Sequence, residues 1–283
     1  MNSVDALLRE ATTTLLQAGI INPRSEARLF LERATGVDRA HLLAHADHAV
    51  AGAEAERFRS WIARRARREP AAYILGDVEF WGLRFMVGPG VLVPRPDSET
   101  LVGAALRAFP NRERPLRILD LGVGSGCLLL SLLHEFGHAR GLGIDASEHA
   151  LAYARDNAGR HGLDARAELR VADWRDGVGG AFDLVLANPP YIGSAEIEHL
   201  EPEVALHEPR GALDGGVDGM DAYRGLASLL PAVVRSDGAA FLEIGLDQVE
   251  PVSAIVRPGL ARVVAHRDLA GIARCLECRH HPV

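Results

Sequence analysis

The chain has 283 residues, and all 31 residues counted as lysine plus arginine are arginine, since the sequence contains no lysine. This composition excludes a P-loop lysine for nucleotide phosphates and a lysine Schiff base for pyridoxal phosphate or aldolase chemistry. The net charge of −7 argues against a protein that binds mainly to the nucleic-acid backbone, although it leaves room for a local basic groove.

The N-terminal segment, residues 1–5, has neither the basic region nor the apolar region of a secretory signal. No apolar run reaches the roughly 20 residues that a membrane-spanning helix needs. Three cysteines are too few for a secreted disulfide scaffold. We therefore expect a cytoplasmic, reduced protein with no membrane partner.

Residues 1–75 have the pattern of a small helical domain. Apolar residues recur at helical spacing through the first segment, and Gly19 stands where that helix ends. Asn22 and Pro23 predict the N-cap and first position of a second helix. A longer helix is predicted from about residue 53 to residue 69.

That long helix contains six arginines: Arg57, Arg59, Arg64, Arg65, Arg67 and Arg68. Such a run is typical of a solvated helical face. It also suits a patch for an acidic or nucleic-acid partner, and the sequence leaves both interpretations open.

Residues 76–93 predict a β-hairpin that connects two domains. Alternating apolar residues flank Gly82 on both sides, which is typical of two short strands. Gly88-Pro89-Gly90 then marks a turn, and the second domain is predicted to cover residues 94–283.

In the second domain, strands and helices alternate. Strands are predicted at Arg117–Leu121, Gly141–Ile144, Glu168–Ala172, Phe182–Ala187, Ala239–Ile244, Ala261–His266 and Ala273–Cys278, and helices at Cys127–Phe136, Ser147–His161, Asp221–Val234 and Asp247–Val256. This order predicts an α/β fold, a mostly parallel sheet covered by helices. Ligands of such sheets bind beyond the carboxyl ends of the strands.

A glycine-rich loop follows the first of these strands, with the order Asp120-Leu121-Gly122-Val123-Gly124-Ser125-Gly126. Such a loop fits either a nicotinamide dinucleotide or S-adenosylmethionine. The dinucleotide motif has glycine or alanine at the position where this chain has Cys127. Asp120 also supplies a carboxylate suited to a cationic ligand such as the α-amino group of methionine. The loop therefore favours S-adenosylmethionine.

Acidic residues follow the next two strands. Asp145 can accept hydrogen bonds from both ribose hydroxyls, and Ser147 is better placed than Asp145 as the cap of the next helix. Asp173 can accept a hydrogen bond from an adenine amino group, and Trp174 can lie against the adenine ring. Together with the glycine loop, they form a set suited to a nucleoside.

Asn188-Pro189-Pro190-Tyr191 follows the fourth strand. The prolines fix φ and donate no N–H, so the Asn188 side-chain oxygen and the Pro189 carbonyl form a rigid notch rich in acceptors. Such a notch suits a planar NH₂ group, whose plane Tyr191 can cover. A simple proline strand terminator is the alternative, which the upstream loop and acids disfavour.

The tetrapeptide resembles that of S-adenosylmethionine-dependent methyltransferases that modify exocyclic or amide nitrogens. Further segments resemble the peptide chain release factor N5-glutamine methyltransferases of the PrmC/HemK type: residues 69–76, Glu79-Phe80-Trp81, residues 91–99, Glu208-Pro209-Arg210, Gly215-Gly216 and Glu243-Ile244-Gly245. The resemblance covers nearly the whole chain. Val123 stands where many members have threonine, and residues 272–278 diverge from the usual ending.

The resemblance implies a Rossmann-like class I methyltransferase domain with seven strands, preceded by a hairpin and a helical substrate-recognition domain. It implies S-adenosylmethionine as cofactor, S-adenosylhomocysteine as product and class I peptide chain release factors as partners. The cofactor would contact Gly122, Val123, Gly124, Ser125, Gly126, Asp145, Asp173, Trp174 and Asn188. The substrate glutamine amide would contact Asn188, Pro189, Pro190 and Tyr191, of which Asn188 and Pro189 would be catalytic.

Two other functions remain as alternatives. One is methylation of an exocyclic amino group of a DNA or RNA base, against which the negative net charge counts mildly. The other is a catalytically silent interaction module. We expect no stable nucleic-acid binding, and a monomer is plausible.

Three minor features complete the sequence predictions. Cys275 and Cys278 could bind zinc together with His280 and His281, but we favour a structural edge strand and expect no metal. Cys127 is interpreted as a small packing residue. Arg95 could meet a substrate carbonyl or brace the hairpin, and the sequence does not choose.

Overall fold

The computed structural model describes residues 2–281, and within that range the chain forms two compact units. The helical unit comprises residues 2–77 together with 201–207, and the α/β unit comprises residues 78–200 and 208–281. The domain ranges expected from the sequence, 1–75, 76–93 and 94–283, include residues 1, 282 and 283, which lie outside the described residues.

The helical unit contains helices α1 (Val4–Gln17), α2 (Pro23–Thr35), α3 (Arg39–Ala44), α4 (Gly52–Ala66), α5 (Ala71–Leu75) and α9 (Pro202–His207). The side chain of Ser3 caps α1 by accepting a hydrogen bond from the Ala6 amide at 3.3 Å. Apolar residues at helical spacing, among them Leu7, Phe30 and Phe58, are buried together as its core.

Helix α4 ends earlier than the sequence predicts, at Ala66 rather than near residue 69. Arg68 has a positive φ of 67°, which takes the backbone out of the helix. The Arg68 guanidinium donates to the Gly19 carbonyl at 2.9 Å, so a contact distant in sequence accompanies this unusual backbone.

The remaining elements are β1 (Asp77–Phe80), β2 (Leu83–Met86), α6 (Glu99–Ala108), β3 (Arg117–Leu121), α7 (Cys127–Glu135), β4 (Arg140–Asp145), α8 (Glu148–Arg160), β5 (Ala167–Val171), β6 (Phe182–Ala187), α10 (Asp221–Val233), β7 (Val234–Glu243), α11 (Val249–Val256), β8 (Arg262–Arg267) and β9 (Ala273–Arg279). The predicted strands and helices of this region are confirmed, as is the hairpin of β1 and β2. The pattern did not predict α6, because Pro94-Arg95-Pro96 suggests a turn; Pro96 instead opens the short turn that leads into this helix.

The seven-stranded sheet has the order β5-β4-β3-β6-β7-β9-β8. Its first five strands are parallel, and β9 runs antiparallel to both neighbours. The order reverses between β3 and β6, which is where ligands of open α/β sheets bind. Ile118 and Leu184 face one buried layer, while Leu119 and Val185 face the other. Helices therefore cover both faces, and the carboxyl edge alone is available for chemistry.

None of the helices within residues 2–281 combines the length and the apolar content that crossing a membrane requires.

Candidate active site

Strand register brings the predicted site residues to one edge of the sheet. Leu121, the last residue of β3, pairs with Ile144 on one side and with Ala187 on the other. Ala187 in turn pairs with Leu242 of β7, and Asp145 pairs with Val171 of β5. The glycine loop, Asp145, Asp173, Asn188 and Glu243 therefore all follow or end neighbouring strands at the same edge.

The glycine loop, residues 122–126, turns sharply between β3 and α7. Gly122, Gly124 and Gly126 have φ angles of 79°, 56° and 85°, a region that side chains rarely allow. The amides of Gly122 and Val123 both donate to the Ile144 carbonyl at 2.9 Å. A β-carbon on Gly126 would lie only 2.9 Å from a methyl carbon of Leu130. The loop therefore needs glycine for backbone conformation and, at Gly126, for space.

Asn157 of α8 holds the glycine loop against the hairpin. Its amide group donates to the Ser125 carbonyl at 2.9 Å and to the Met86 carbonyl at 3.0 Å. Its oxygen accepts from the Met86 amide at 2.7 Å. Asn157 is fully buried, so its polar atoms must all find partners inside the protein. The sequence pattern gave no signal for this residue, because a lone asparagine in a helix has no distinguishing spacing.

Asp145 lies directly beside the glycine loop. One carboxylate oxygen accepts from the Gly124 amide at 2.9 Å, and the other accepts from the Ser147 amide at 2.8 Å. Ser147 caps α8 by accepting from Ala150 at 3.2 Å, as the sequence predicts. Each Asp145 oxygen has a second lone pair, so the carboxylate can still accept two hydroxyl groups.

Asp120 lies behind the glycine loop at the end of β3. It is 1% exposed, and neither of its carboxylate oxygens has a hydrogen-bond partner within residues 2–281. Burial raises the pKa of Asp120 to about 7. The backbone of Leu129 opposes this rise, and the nearby Asp145 carboxylate adds to it. A buried carboxylate without a partner is costly, and a cationic ligand at the loop would offset that cost.

Asp173 and Trp174 follow β5 on the other side of Asp145. One Asp173 oxygen accepts from the Arg175 amide at 2.9 Å. The Trp174 ring lies against helix α10, where a β-carbon on Gly225 would approach the ring to 2.8 Å. The Arg175 guanidinium lies over the same ring, 5.3 Å from its centroid. Trp174 thus contributes to the core as well as to the site edge.

Asn188-Pro189-Pro190-Tyr191 emerges from β6, whose six residues are all buried. The Asn188 amide group donates to the Ser98 hydroxyl at 3.4 Å. The Tyr191 hydroxyl donates to Glu243 at 3.3 Å, and the Tyr191 carbonyl accepts from the Gln248 side chain at 2.9 Å. The two ends of the tetrapeptide are thus bound by side chains from other elements.

The segment after the tetrapeptide is braced by a glycine-rich turn, residues 215–219. The amide of Gly215 donates to the Ile192 carbonyl at 2.8 Å. A β-carbon on Gly215 would come within 2.8 Å of the Pro190 carbonyl, and one on Gly219 would collide with the Tyr191 carbonyl. Glycine is required at both positions because the backbone of this turn packs directly against the backbone of the tetrapeptide.

Glu243, the last residue of β7, is a second buried acid at this edge. Burial raises its pKa to about 7, while contacts with the Ser98 and Tyr191 hydroxyls and the Arg274 charge oppose the rise. One of its oxygens has no hydrogen-bond partner in the described part of the chain. The sequence showed this residue only as part of a family-like segment and gave it no role.

The structure pairs Arg95 with a buried acid. Its guanidinium donates to Glu208 at 2.6 Å, and the other Glu208 oxygen accepts from the Val93 amide at 3.2 Å. Glu208 has only 1% of its side chain exposed. This contact holds the segment that leads to Ser98. It involves neither hairpin strand, so meeting a substrate carbonyl and bracing the hairpin both stay predictions for Arg95.

Cys275 and Cys278 lie three residues apart on β9, so they point to opposite faces of the sheet. Each is buried in a different core layer. The His280 ring hydrogen-bonds to the Val234 carbonyl at 2.9 Å. Within residues 2–281, no cluster of three or more histidine, cysteine or acidic side chains could hold a metal ion.

Two family models match the chain. The model described as the PrmC N-terminal domain matches residues 6–76, and the model described as the methyltransferase small domain matches residues 100–206.

Curated relatives match most of the chain. The release factor glutamine methyltransferase of Caulobacter vibrioides is 45% identical over 92% of this chain and 90% of its own length. The protein of the same name from Cereibacter sphaeroides is 42% identical over 99% of both chains. Among solved structures, a T. thermophilus 16S rRNA N2 G1207 methyltransferase with AdoMet and guanosine has a TM-score of 0.53. It is 18% identical, covers 72% of this chain and 50% of its own, and shows a shared fold.

Proposed function

We propose, since this chain belongs to the release factor glutamine methyltransferase family, that it methylates class I peptide chain release factors. The methyl group passes from S-adenosylmethionine to the side-chain amide nitrogen (N5) of the glutamine in the Gly-Gly-Gln motif. The helical unit recognises the release factor, and the α/β unit performs the transfer.

The arrangement of Asn188 and Pro189 carries this proposal. Both follow the buried strand β6, next to the glycine loop that follows β3. The chain is braced on both sides of the notch, by Gln248 and by the glycine turn at residues 215–219. A rigid pair of acceptors beside a cofactor loop is what an NH₂ acceptor of a methyl group needs.

The residues of the edge fit S-adenosylmethionine. The buried Asp120 carboxylate, whose oxygens have no hydrogen-bond partner in the described part of the chain, matches a ligand that carries positive charge. The glycine loop, with Val123 and Ser125 between its glycines, would follow the methionine part. Asp145 would accept from the ribose, and Asp173 with Trp174 would border the adenine. When bound, this cofactor supplies a methyl group already activated on a sulfonium.

The chemical difficulty lies in the acceptor, because the lone pair of an amide nitrogen is delocalised into its carbonyl. Asn188 Oδ1 and the Pro189 carbonyl accept hydrogen bonds from the two N–H groups of the substrate amide, while Pro190 and Tyr191 border the plane of that amide. Positioning of this kind can supply up to roughly 7–11 kcal/mol. Acceptors that stabilise the positive charge developing on nitrogen add roughly 2.7–4 kcal/mol each. The amide proton leaves to water after transfer.

The reaction takes place in the cytoplasm, without stable binding of nucleic acid. Three free cysteines support a reducing compartment. The net charge of −7 supports a protein substrate rather than the nucleic-acid backbone.

The test offers tritiated S-adenosylmethionine with a release factor, its glutamine-to-alanine variant, and total nucleic acid in parallel. The proposal predicts label on the unaltered factor alone. Label on both factors would refute the glutamine as acceptor, and label on nucleic acid would favour base methylation.

A further inference from the structure

The Asn188 side chain has two ends of similar shape and opposite function. Its Oδ1 accepts hydrogen bonds, and its Nδ2 group donates them. If the amide were turned over, donors would face the donors of the substrate NH₂ group, and the acceptor that we assign to catalysis would be lost. Some group of the protein must therefore fix which end faces the substrate.

Ser98 is the partner that distinguishes the two ends. It lies just before α6 and is 2% exposed. The Asn188 Nδ2 group donates to the Ser98 hydroxyl oxygen at 3.4 Å, so the amide presents its donor end to Ser98. A hydroxyl can itself donate or accept, so Ser98 specifies this orientation only if its own proton is directed elsewhere.

Glu243 directs that proton. The Tyr191 hydroxyl donates to its carboxyl group at 3.3 Å, the Ser98 hydroxyl lowers its pKa, and Glu243 is 2% exposed. In its ionised form Glu243 can only accept, so it would accept a hydrogen bond from the Ser98 hydroxyl and leave the oxygen lone pairs of Ser98 for Asn188. With that bond formed, Glu243, Ser98 and Asn188 would make a chain of hydrogen bonds with one direction, and such chains are stronger than their separate bonds.

We propose that Ser98 and Glu243 are positioning residues that orient the Asn188 amide with its oxygen toward the substrate NH₂ group. This role rests on the proposed function, because it concerns the same methyl transfer. It explains a contact between three elements that are distant in sequence: the start of α6, the end of β6 and the end of β7. Neither residue touches the reacting atoms.

The test compares Ser98→Ala with Ser98→Thr, and uses Ser131→Ala as the matched control. Ser131 is also fully buried, but its hydroxyl has no partner within residues 2–281. We expect Ser98→Ala to lower kcat about tenfold, the cost of a lost hydrogen bond in the transition state. Ser98→Thr keeps the hydroxyl and should stay within about threefold of the unaltered protein.

Which of Ser98→Ala and Ser98→Thr has the higher kcat distinguishes a positioning role from a packing role. Ser98 is tightly buried, so a purely structural role predicts that alanine is tolerated and the larger threonine is not. Calorimetry with S-adenosylmethionine should give unchanged affinity for all three variants, which also shows that they are folded. Equal kcat for Ser98→Ala and Ser131→Ala, or a better alanine than threonine, overturns the proposal.

A double-mutant cycle tests Glu243. Glu243→Met removes the acceptor and replaces a buried acid with an apolar side chain of similar size. We expect Glu243→Met to lower kcat about as much as Ser98→Ala does. The kcat of the double variant should be no lower than that of the less active single variant, because both substitutions break the same chain. Effects that multiply would refute the shared chain.

The same series distinguishes failure of the inference from failure of the proposed function. If the unaltered protein does not methylate the release factor, the proposed function fails, and the affinity for the unmethylated glutamine peptide replaces kcat as the readout. Ser98→Thr should then bind the peptide more tightly than Ser98→Ala does, and equal affinities would refute the role of Ser98.

Discussion

Replacing Asp120 by asparagine should stabilise the cofactor-free protein at neutral pH and weaken its binding of S-adenosylmethionine. The Asp120 carboxylate is completely buried and has no hydrogen-bond partner among the described residues. Asparagine has nearly the same shape and no charge. Stability and ligand binding therefore make opposite demands on this one position.

The magnitude follows from the pKa. Burial raises the pKa of Asp120 from 3.8 to about 7 in the folded protein, a rise of about three units, or about 4 kcal/mol at 1.36 kcal/mol per unit. Well below pH 3.8 the carboxyl is protonated in both states, so this cost is absent. Between about pH 4 and pH 7 the unfolded chain ionises while the folded protein keeps its proton, so the folded state loses stability as pH rises.

Urea unfolding of both proteins from pH 4 to pH 8 measures this effect. The free energy of unfolding of Asp120→Asn minus that of the unaltered protein should rise by about 4 kcal/mol across the range. Taking the difference cancels the other titrating groups, among them Glu243, whose pKa is also raised to about 7, and Glu277, whose pKa is lowered to about 2. Asp164→Asn, which removes an exposed carboxylate, is the matched control.

Binding supplies the second half of the test. Loss of a charged partner should weaken S-adenosylmethionine binding at pH 8 by roughly 10- to 150-fold. A difference in unfolding free energy that does not change with pH would refute the unpaired buried carboxylate. Unchanged cofactor affinity would refute its pairing with the ligand.

Three further substitutions test other parts of the chain. Asn188→Ala should lower methyl transfer at least about 100-fold while S-adenosylmethionine still binds in equilibrium dialysis; near-normal turnover would contradict the acceptor notch. Gly219→Ala, at a φ of 72° with no room for a β-carbon, should reduce turnover about tenfold or more, and Gly137→Ala, which has open space, should not. Arg65→Ala, which removes a buried cation from two carboxylates, should cost about 3 kcal/mol in urea unfolding, whereas exposed Arg67→Ala should cost under about 0.5 kcal/mol. Equal losses for the two arginines would refute the ion pairs.

Most of the α/β unit could be predicted from local patterns. Buried parallel strands consist of short apolar runs, and the strand β6 is the clearest case because all six of its residues are buried. Sheet topology then follows from rules on parallel connections, which bring the strand ends to one edge. Residues at a strand end or directly after it, such as Asp145 and Asn188, could therefore be assigned to this edge from their position alone.

The supports of those residues could not be found in this way. Asn157, Ser98 and Glu243 contact the site from helix or strand positions that have no sequence signature. Ser98 lies 90 residues from Asn188, to which its hydroxyl binds. Local periodicity reports which face of an element is buried, and it carries no information on which distant polar group will lie opposite.

The arginines of α4 and of the residues directly after it show the same limit in another form. The sequence offered two interpretations, a solvated face or a patch for a partner, and the structure uses most of these side chains inside the helical unit. Arg65 contacts Glu26 and Glu203, each at 2.6 Å, and Arg68 also pairs with Glu203. Glu203 belongs to α9, which comes from a segment more than 130 residues downstream. A guanidinium has five donors in a rigid fork and can serve two carboxylates at once, which an ammonium does less well. In a chain without lysine, the arginine-rich face therefore binds a distant segment of the same chain, and it is a poorer candidate for the surface that contacts a release factor.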